Sequence, residues 1–113
     1  MNVLIAPDKF KGSLTAAEIV HHLGRGLEQR GIHYDGLPLA DGGDGSVAAA
    51  VAAGFRAIDV DVAAATGERH SAAIAFDGTT AVVEVANTCG LHTLPAGTLA
   101  PLAASSAGLG DAV

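Results

Sequence analysis

The residues able to handle an anion are concentrated in two short runs. The first is Asp8, Lys9, Phe10, Lys11, Gly12 and Ser13. Two ammonium groups beside a helix start, with the Ser13 hydroxyl and unpaired backbone amides nearby, offer what a phosphate or carboxylate needs. The same residues also suit a solvated loop in which Ser13 or Thr15 simply caps the helix. The second run is Asp41, Gly42, Gly43, Asp44, Gly45 and Ser46. Its glycines let the backbone turn amides toward an anion without obstruction. Its carboxylates could hold a magnesium ion or accept a proton from an attacking hydroxyl. A tight surface turn before a helix would have the same composition.

Several familiar motifs are excluded by spacing. An EF-hand loop requires oxygen ligands where Gly43 and Gly45 stand, and a calcium-binding β-helix repeat requires Asp where Val47 stands. Neither run is a Walker A sequence, and no GxGxxG follows a strand. Any phosphate chemistry must therefore use another architecture.

Outside the two runs, Glu84 lies between Val83 and Val85. A carboxylate buried there would be costly unless paired. Strand alternation predicts the cheaper arrangement, with Ala81, Val83 and Val85 toward the core and Val82, Glu84 and Ala86 outward. Cys89 has no basic residue close in sequence to stabilise a thiolate and reads as a small packed hydrophobe. His21 and His22 are adjacent, and His33, His70 and His92 are scattered, which disfavours a histidine metal site.

The elements that must position these runs follow from periodicity. Val3 to Ala6 is an apolar run stopped by Pro7, which predicts a buried parallel strand delivering the loop Pro7 to Gly12. Thr15 and Glu18 have capping-box spacing, and Ala16, Ile19, Val20, Leu23 and Leu27 continue with helical period. Gly24 and Gly26 weaken that helix, and Arg30 with Gly31 supplies an end. A second strand spans roughly Ile32 to Leu39, and Ser46 opens an alanine-rich helix ending near Gly54. Strand, loop and helix thus occur twice, and both loops should open at the same sheet edge, where ligands sit in open α/β sheets.

From Ala57 the period changes to two, with Ile58, Val60 and Val62 alternating with Ala57, Asp59 and Asp61. His70 to Phe76 and Thr79 to Val85 flank Asp77 and Gly78, a two-residue hairpin signal. After Ala86 the chain reads as loop through Pro95 and Pro101, and Ser105 to Val113 as a glycine loop entering a helix. The expected organisation is α/β: Rossmann-like strand-loop-helix units over 1–56, a β meander over 57–86, and a loop with the start of a truncated helix over 87–113.

With 113 residues, the chain is about the size of one ordinary domain. A net charge of −6, with six scattered Lys and Arg, argues against nucleic acid as a partner. The lone cysteine cannot form an internal disulfide, which fits a reducing cytoplasm. The start lacks the basic region and long apolar run of a signal peptide. The charge-poor stretch Val85 to Gly110 is broken by Pro, Gly, Ser and Thr, which makes a poor membrane span.

Four blocks in order, IAPDKFKGSLTA (Ile5 to Ala16), PLADGGDG (Pro38 to Gly45), EVANTCGLHTLP (Glu84 to Pro95) and ASSAGLGDAV (Ala104 to Val113), resemble the glycerate kinase family. The resemblance implies ATP-dependent phosphorylation of glycerate, most often to 2-phosphoglycerate, with magnesium, in a cytoplasmic enzyme. It also implies a fold of two unlike α/β domains around a cleft. Asp8, Lys11 and Ser13 match the first block, and Asp41, Gly42, Gly43 and Gly45 the second. Lys9 and Asp44 match less strictly, and Glu84 matches the third. On that basis Asp41, Asp8 and Lys11 are the catalytic candidates. Lys9, Ser13, Gly42, Gly43, Asp44, Gly45, Ser46 and Glu84 are the substrate- or phosphate-binding ones, and Asp41 with Asp44 are the magnesium ligands.

Two positions depart from the family pattern: Leu99 stands where an arginine is usual, and Asp111 where a glutamate is frequent. The chain reads as an amino-terminal portion, inactive by itself, with apolar surface that favours self-association. A homodimer is compatible with this reading. Competing readings are a non-catalytic fragment binding small anions and a kinase for a related hydroxy acid.

Overall fold

The computed structural model describes residues 1–113 and divides into two compact units, 1–41 and 42–113. The first unit is β1 (Asn2–Ile5), α1 (Ala16–Glu28) and β2 (His33–Gly36), with the two strands paired in parallel from Asn2 opposite His33 to Ile5 opposite Gly36. A helical crossover is what parallel pairing of successive strands requires. β1 is less buried than its apolar run predicts: Ile5 is buried, but Leu4 is 63% exposed because only two strands form this sheet.

α1 begins as its sequence predicts. The Thr15 hydroxyl accepts from the Glu18 amide at 3.2 Å, and Glu18 accepts from the Thr15 amide at 2.8 Å, so both parts of the capping box are present. At the other end Gly31 adopts φ 66°, which turns the chain so that the Ile32 amide reaches the Leu27 carbonyl. Gly24 is no mere weakness in this helix. A Cβ there would collide with the Tyr34 ring, and one at Gly36 would collide with Val20, so the two glycines set how closely helix and strand pack.

The second unit contains α2 (Ser46–Ala52) and an antiparallel meander of β3 (Arg56–Ala63), β4 (Arg69–Phe76) and β5 (Ala81–Val82). The period-two reading holds in β3, where Val62 is buried and Ile58 and Val60 half-buried while Ala57, Asp59 and Asp61 face solvent. Val62, Ala72, Ile74 and Ala112 form the core, with Ile58, Val60 and Val83 packed against it. α2, grouped with the first segment by the sequence reading, packs on β3, β4 and β5.

Three expectations need correction here. The hairpin turn is not the two residues Asp77 and Gly78, since Phe76 pairs with Ala81 and the turn spans four residues, 77–80. The Asp77 carboxylate accepts from the Thr79 and Thr80 amides, a local alternative to the tighter turn. Those two amides also hold its carboxyl below the usual carboxylate range. β5 ends at Val82 instead of continuing to Val85, and the chain then forms α3 (Val85–Cys89) and a 3-10 turn, Leu91–Thr93, where a loop was expected. The Thr88 amide and hydroxyl both bond the Glu84 carbonyl, which favours the helical turn over continued pairing.

Finally, α4 (Ala107–Asp111) lies so close to β3 that a Cβ on Gly108 would collide with the Ala63 carbonyl. Asp111 closes this contact, accepting from the Ala63 amide at 3.0 Å and from Arg69 at 2.6 Å.

The Thr15 amide, and then its hydroxyl, hold the Glu18 carboxyl below the usual range. Because the folded value is depressed, this stabilisation is present above the ordinary glutamate pKa and is lost as pH falls through the lower, folded one. Thr15→Ala is expected to cost about 1 kcal/mol in a urea titration. It should also move the Glu18 midpoint upward in a carboxylate NMR titration.

Candidate active site

Parallel pairing continues past the ends of the two short strands. The Leu37 amide donates to the Ile5 carbonyl at 2.8 Å, and the Leu39 amide to the Pro7 carbonyl at 2.9 Å. The loop after β1 and the segment leading to Asp41 therefore leave the same, carboxyl edge of the sheet, as expected for open α/β units.

The first loop is folded upon itself. Asp8 accepts from the Lys9 amide at 2.7 Å, and Phe10 and Leu14 exchange backbone hydrogen bonds. Gly12, at φ 80°, completes the turn between them. The Ser13 hydroxyl donates to the Phe10 carbonyl at 3.2 Å. Ser13 is thus not the helix cap, a task that falls to Thr15. Asp8, Lys11 and Ser13 are exposed, and Lys9 is half-buried.

In the second loop Asp41, Gly42, Gly43 and Asp44 are exposed. Gly42 at φ 94° and Gly45 at φ 103° occupy backbone conformations that strain any L side chain. The Ser46 amide and hydroxyl both bond the Gly43 carbonyl, the hydroxyl at 2.7 Å. Gly45 is the N-cap of α2 and has no side chain with which to cap it.

That function passes to Glu84. Its Oε2 accepts from the Gly45 amide and the Val47 amide, each at 3.1 Å, with Glu84 only 3% exposed. The outward orientation expected from strand alternation does not occur, because the strand has already ended and Glu84 is the extended N-cap of α3. The buried carboxylate is paid for by two amides at a helix start, where a negative charge is favoured. The Gly45 amide, counted among the anion donors of this loop, is engaged by Glu84.

An open groove of about 470 Å³ beside this anchor is lined by Asp44, Gly45, Ala57, Ala73, Glu84 and Asn87, among others. The Asn87 amide nitrogen donates to the Ala73 carbonyl at 3.0 Å, while its buried Oδ1 has no partner. Asn87 lies within the third block that resembles the family, but no local pattern singles it out. For Glu84 the signal was available, since a lone carboxylate in an apolar run must find partners if it is buried.

The glycerate kinase family model matches residues 3–113. The chain belongs to the glycerate kinase family. It is 39% identical to a glycerate kinase of Bacillus subtilis (strain 168) and 36% identical to a glycerate 2-kinase of Escherichia coli (strain K12), in each case over all of this chain and 31% of the relative. Among solved structures it resembles a protein described as glycerate kinase 2 from Salmonella typhimurium LT2, with a TM-score of 0.79 at 36% identity. That match covers 99% of this chain and 32% of the other. The chain thus spans about a third of the length of the glycerate kinases it matches, as an amino-terminal portion.

No group of three or more His, Cys, Asp or Glu side chains is arranged to hold a metal ion. Asp41 and Asp44 remain hard oxygen donors of the kind magnesium takes one or two at a time, completing its shell with phosphate oxygens and water. No helix is long and apolar enough to cross a membrane. Leu99 is 80% exposed and offers no charge to an anion.

A side chain at Gly45 would meet nothing within 4 Å, so its substitution tests backbone strain alone. Gly45→Ala is expected to cost about 1–2 kcal/mol, read as a lowered urea midpoint.

Proposed function

We propose that this chain supplies the amino-terminal share of an ATP-dependent glycerate kinase acting in the cytoplasm, with 2-phosphoglycerate as product. The observation that carries the proposal is the continued parallel pairing, Leu37 to Ile5 and Leu39 to Pro7, which brings the lysine loop and Asp41 to one sheet edge. Membership of the glycerate kinase family over residues 3–113 supports the choice of substrate.

In this reading Lys11 and Lys9 neutralise carboxylate or phosphate oxygens, and the amides of Gly42 and Gly43 are a second set of donors for such oxygens. Asp41 accepts the proton of the glycerate hydroxyl as its oxygen attacks the terminal phosphorus of ATP and ADP departs with the broken bond's electrons. Asp8 is the second candidate for that proton. Phosphoryl transfer depends mainly on positioning and on charge neutralisation, to which glycine-rich loops and lysine side chains are suited. Magnesium held by Asp41 or Asp44 would supply further neutralisation of the phosphate oxygens. Ser13 and Ser46, whose hydroxyls already donate to backbone carbonyls, can only accept from a ligand in this arrangement.

The remaining two-thirds of the fold is required for activity, so the chain alone is expected to show no turnover. Joined in frame to the remainder of the Bacillus subtilis relative, it should form ADP in a coupled assay with glycerate and not with lactate or tartrate. Asp41→Asn in that chimera is expected to lower kcat by about 10²-fold or more. Unchanged turnover would remove Asp41 from the chemistry, and equal rates with lactate or tartrate would refute the substrate assignment.

A further inference from the structure

Glu84 is the one buried carboxylate of the chain, and the chemistry proposed above makes no use of it. We propose that Glu84 is a positioning residue that fixes the second glycine loop by standing in as the N-cap of α2. What the loop is positioned for rests on the kinase reading, but the anchoring itself does not.

Three observations lead to this assignment. First, the α2 start lacks a cap of its own. Gly45 has no side chain, and Ser46 directs its hydroxyl back to the Gly43 carbonyl instead of along the helix. Orphan amides at a helix start must be satisfied by something, and here Oε2 of Glu84 satisfies those of both Gly45 and Val47.

Second, Glu84 is itself held. The Thr88 hydroxyl donates to its carbonyl at 3.0 Å, and Thr88 is fully buried. The Thr88 carbonyl in turn is bonded by Nε2 of His70 at 2.6 Å, which requires that nitrogen to carry the proton, since a carbonyl only accepts. A continuous line of hydrogen bonds therefore runs from β4 through Thr88 and Glu84 to the loop. The loop is referenced to the sheet and not to its own flexible glycines.

Third, at 3% exposure, with one oxygen shared between two amides, Glu84 is a poor ligand for substrate. The side chain occupies the position where a bound anion would otherwise sit on the Gly45 and Val47 amides, so substrate anions must be met by the exposed part of the loop.

Amide hydrogen exchange on the 113-residue chain tests the assignment without glycerate or ATP, so a failed kinase assay would leave it standing. In the unaltered chain the Gly45 and Val47 amides, normally fast at a first helical turn, are expected to exchange at least tenfold more slowly than in an unstructured peptide. Glu84→Ala should remove that protection while the amides of β3 and β4 keep theirs. Glu84→Gln, whose carbonyl oxygen can still accept, should restore most of it. Fast exchange of both amides in the unaltered chain would overturn the proposal, even if Glu84→Ala failed to fold. So would unchanged protection in Glu84→Ala, or an equal loss across β3 and β4.

Discussion

A buried carboxylate held by two backbone amides is the interaction on which the arrangement of the 42–113 unit turns. Glu84 cannot be left in a protein interior without partners, and the α2 start cannot be left without a cap. Each deficiency is relieved by the other through Oε2. The consequence is a fixed distance between the segment after β5 and the glycine loop, across 37 residues of sequence from Val47 to Glu84. Removing either side leaves the other unsatisfied, so the two segments are constrained together.

The first unit follows a simpler constraint. Parallel pairing of β1 with β2 demands a crossover, and α1 provides it with a capping box at one end and Gly31 at the other. The same pairing sends the lysine loop and Asp41 out at one edge. Close packing is achieved by removing side chains: Gly24 makes room for Tyr34, and Gly36 for Val20. In the second unit Gly108 does the same beneath the Ala63 carbonyl, with Asp111 and Arg69 closing the contact. Asp111 thus helps to hold α4 to the meander.

Signals that act over three or four residues were readable in the sequence. The capping box of α1, the alternation of β3 and the start of α2 at Ser46 all depend on neighbours close in the chain. So were the four blocks that resemble the glycerate kinase family, whose model matches residues 3–113. What was not readable depended on distant partners. Alternation placed Glu84 outward because it assumed that the strand ran to Val85, whereas Thr88 bonding to the Glu84 carbonyl starts a helix instead. The apolar run Val3 to Ala6 predicts a buried Leu4, yet a two-stranded sheet leaves it exposed. Asn87 and the His70 to Thr88 contact lie between segments that no local pattern relates. The shared edge of the lysine loop and the segment leading to Asp41 was legible, but the engagement of the Gly45 amide by Glu84 was not.

The central claim is that the loop amides and the Glu84 carboxylate are directly hydrogen-bonded. The most direct measurement is an NMR correlation through the hydrogen bond, linking the amide nitrogens of Gly45 and Val47 to the carboxylate carbon of Glu84 in uniformly labelled chain. Cross-peaks from both nitrogens to that one carbon are the predicted result. Absence of both cross-peaks, in a spectrum that shows the backbone hydrogen-bond correlations of β3 with β4, would contradict the direct hydrogen bonds.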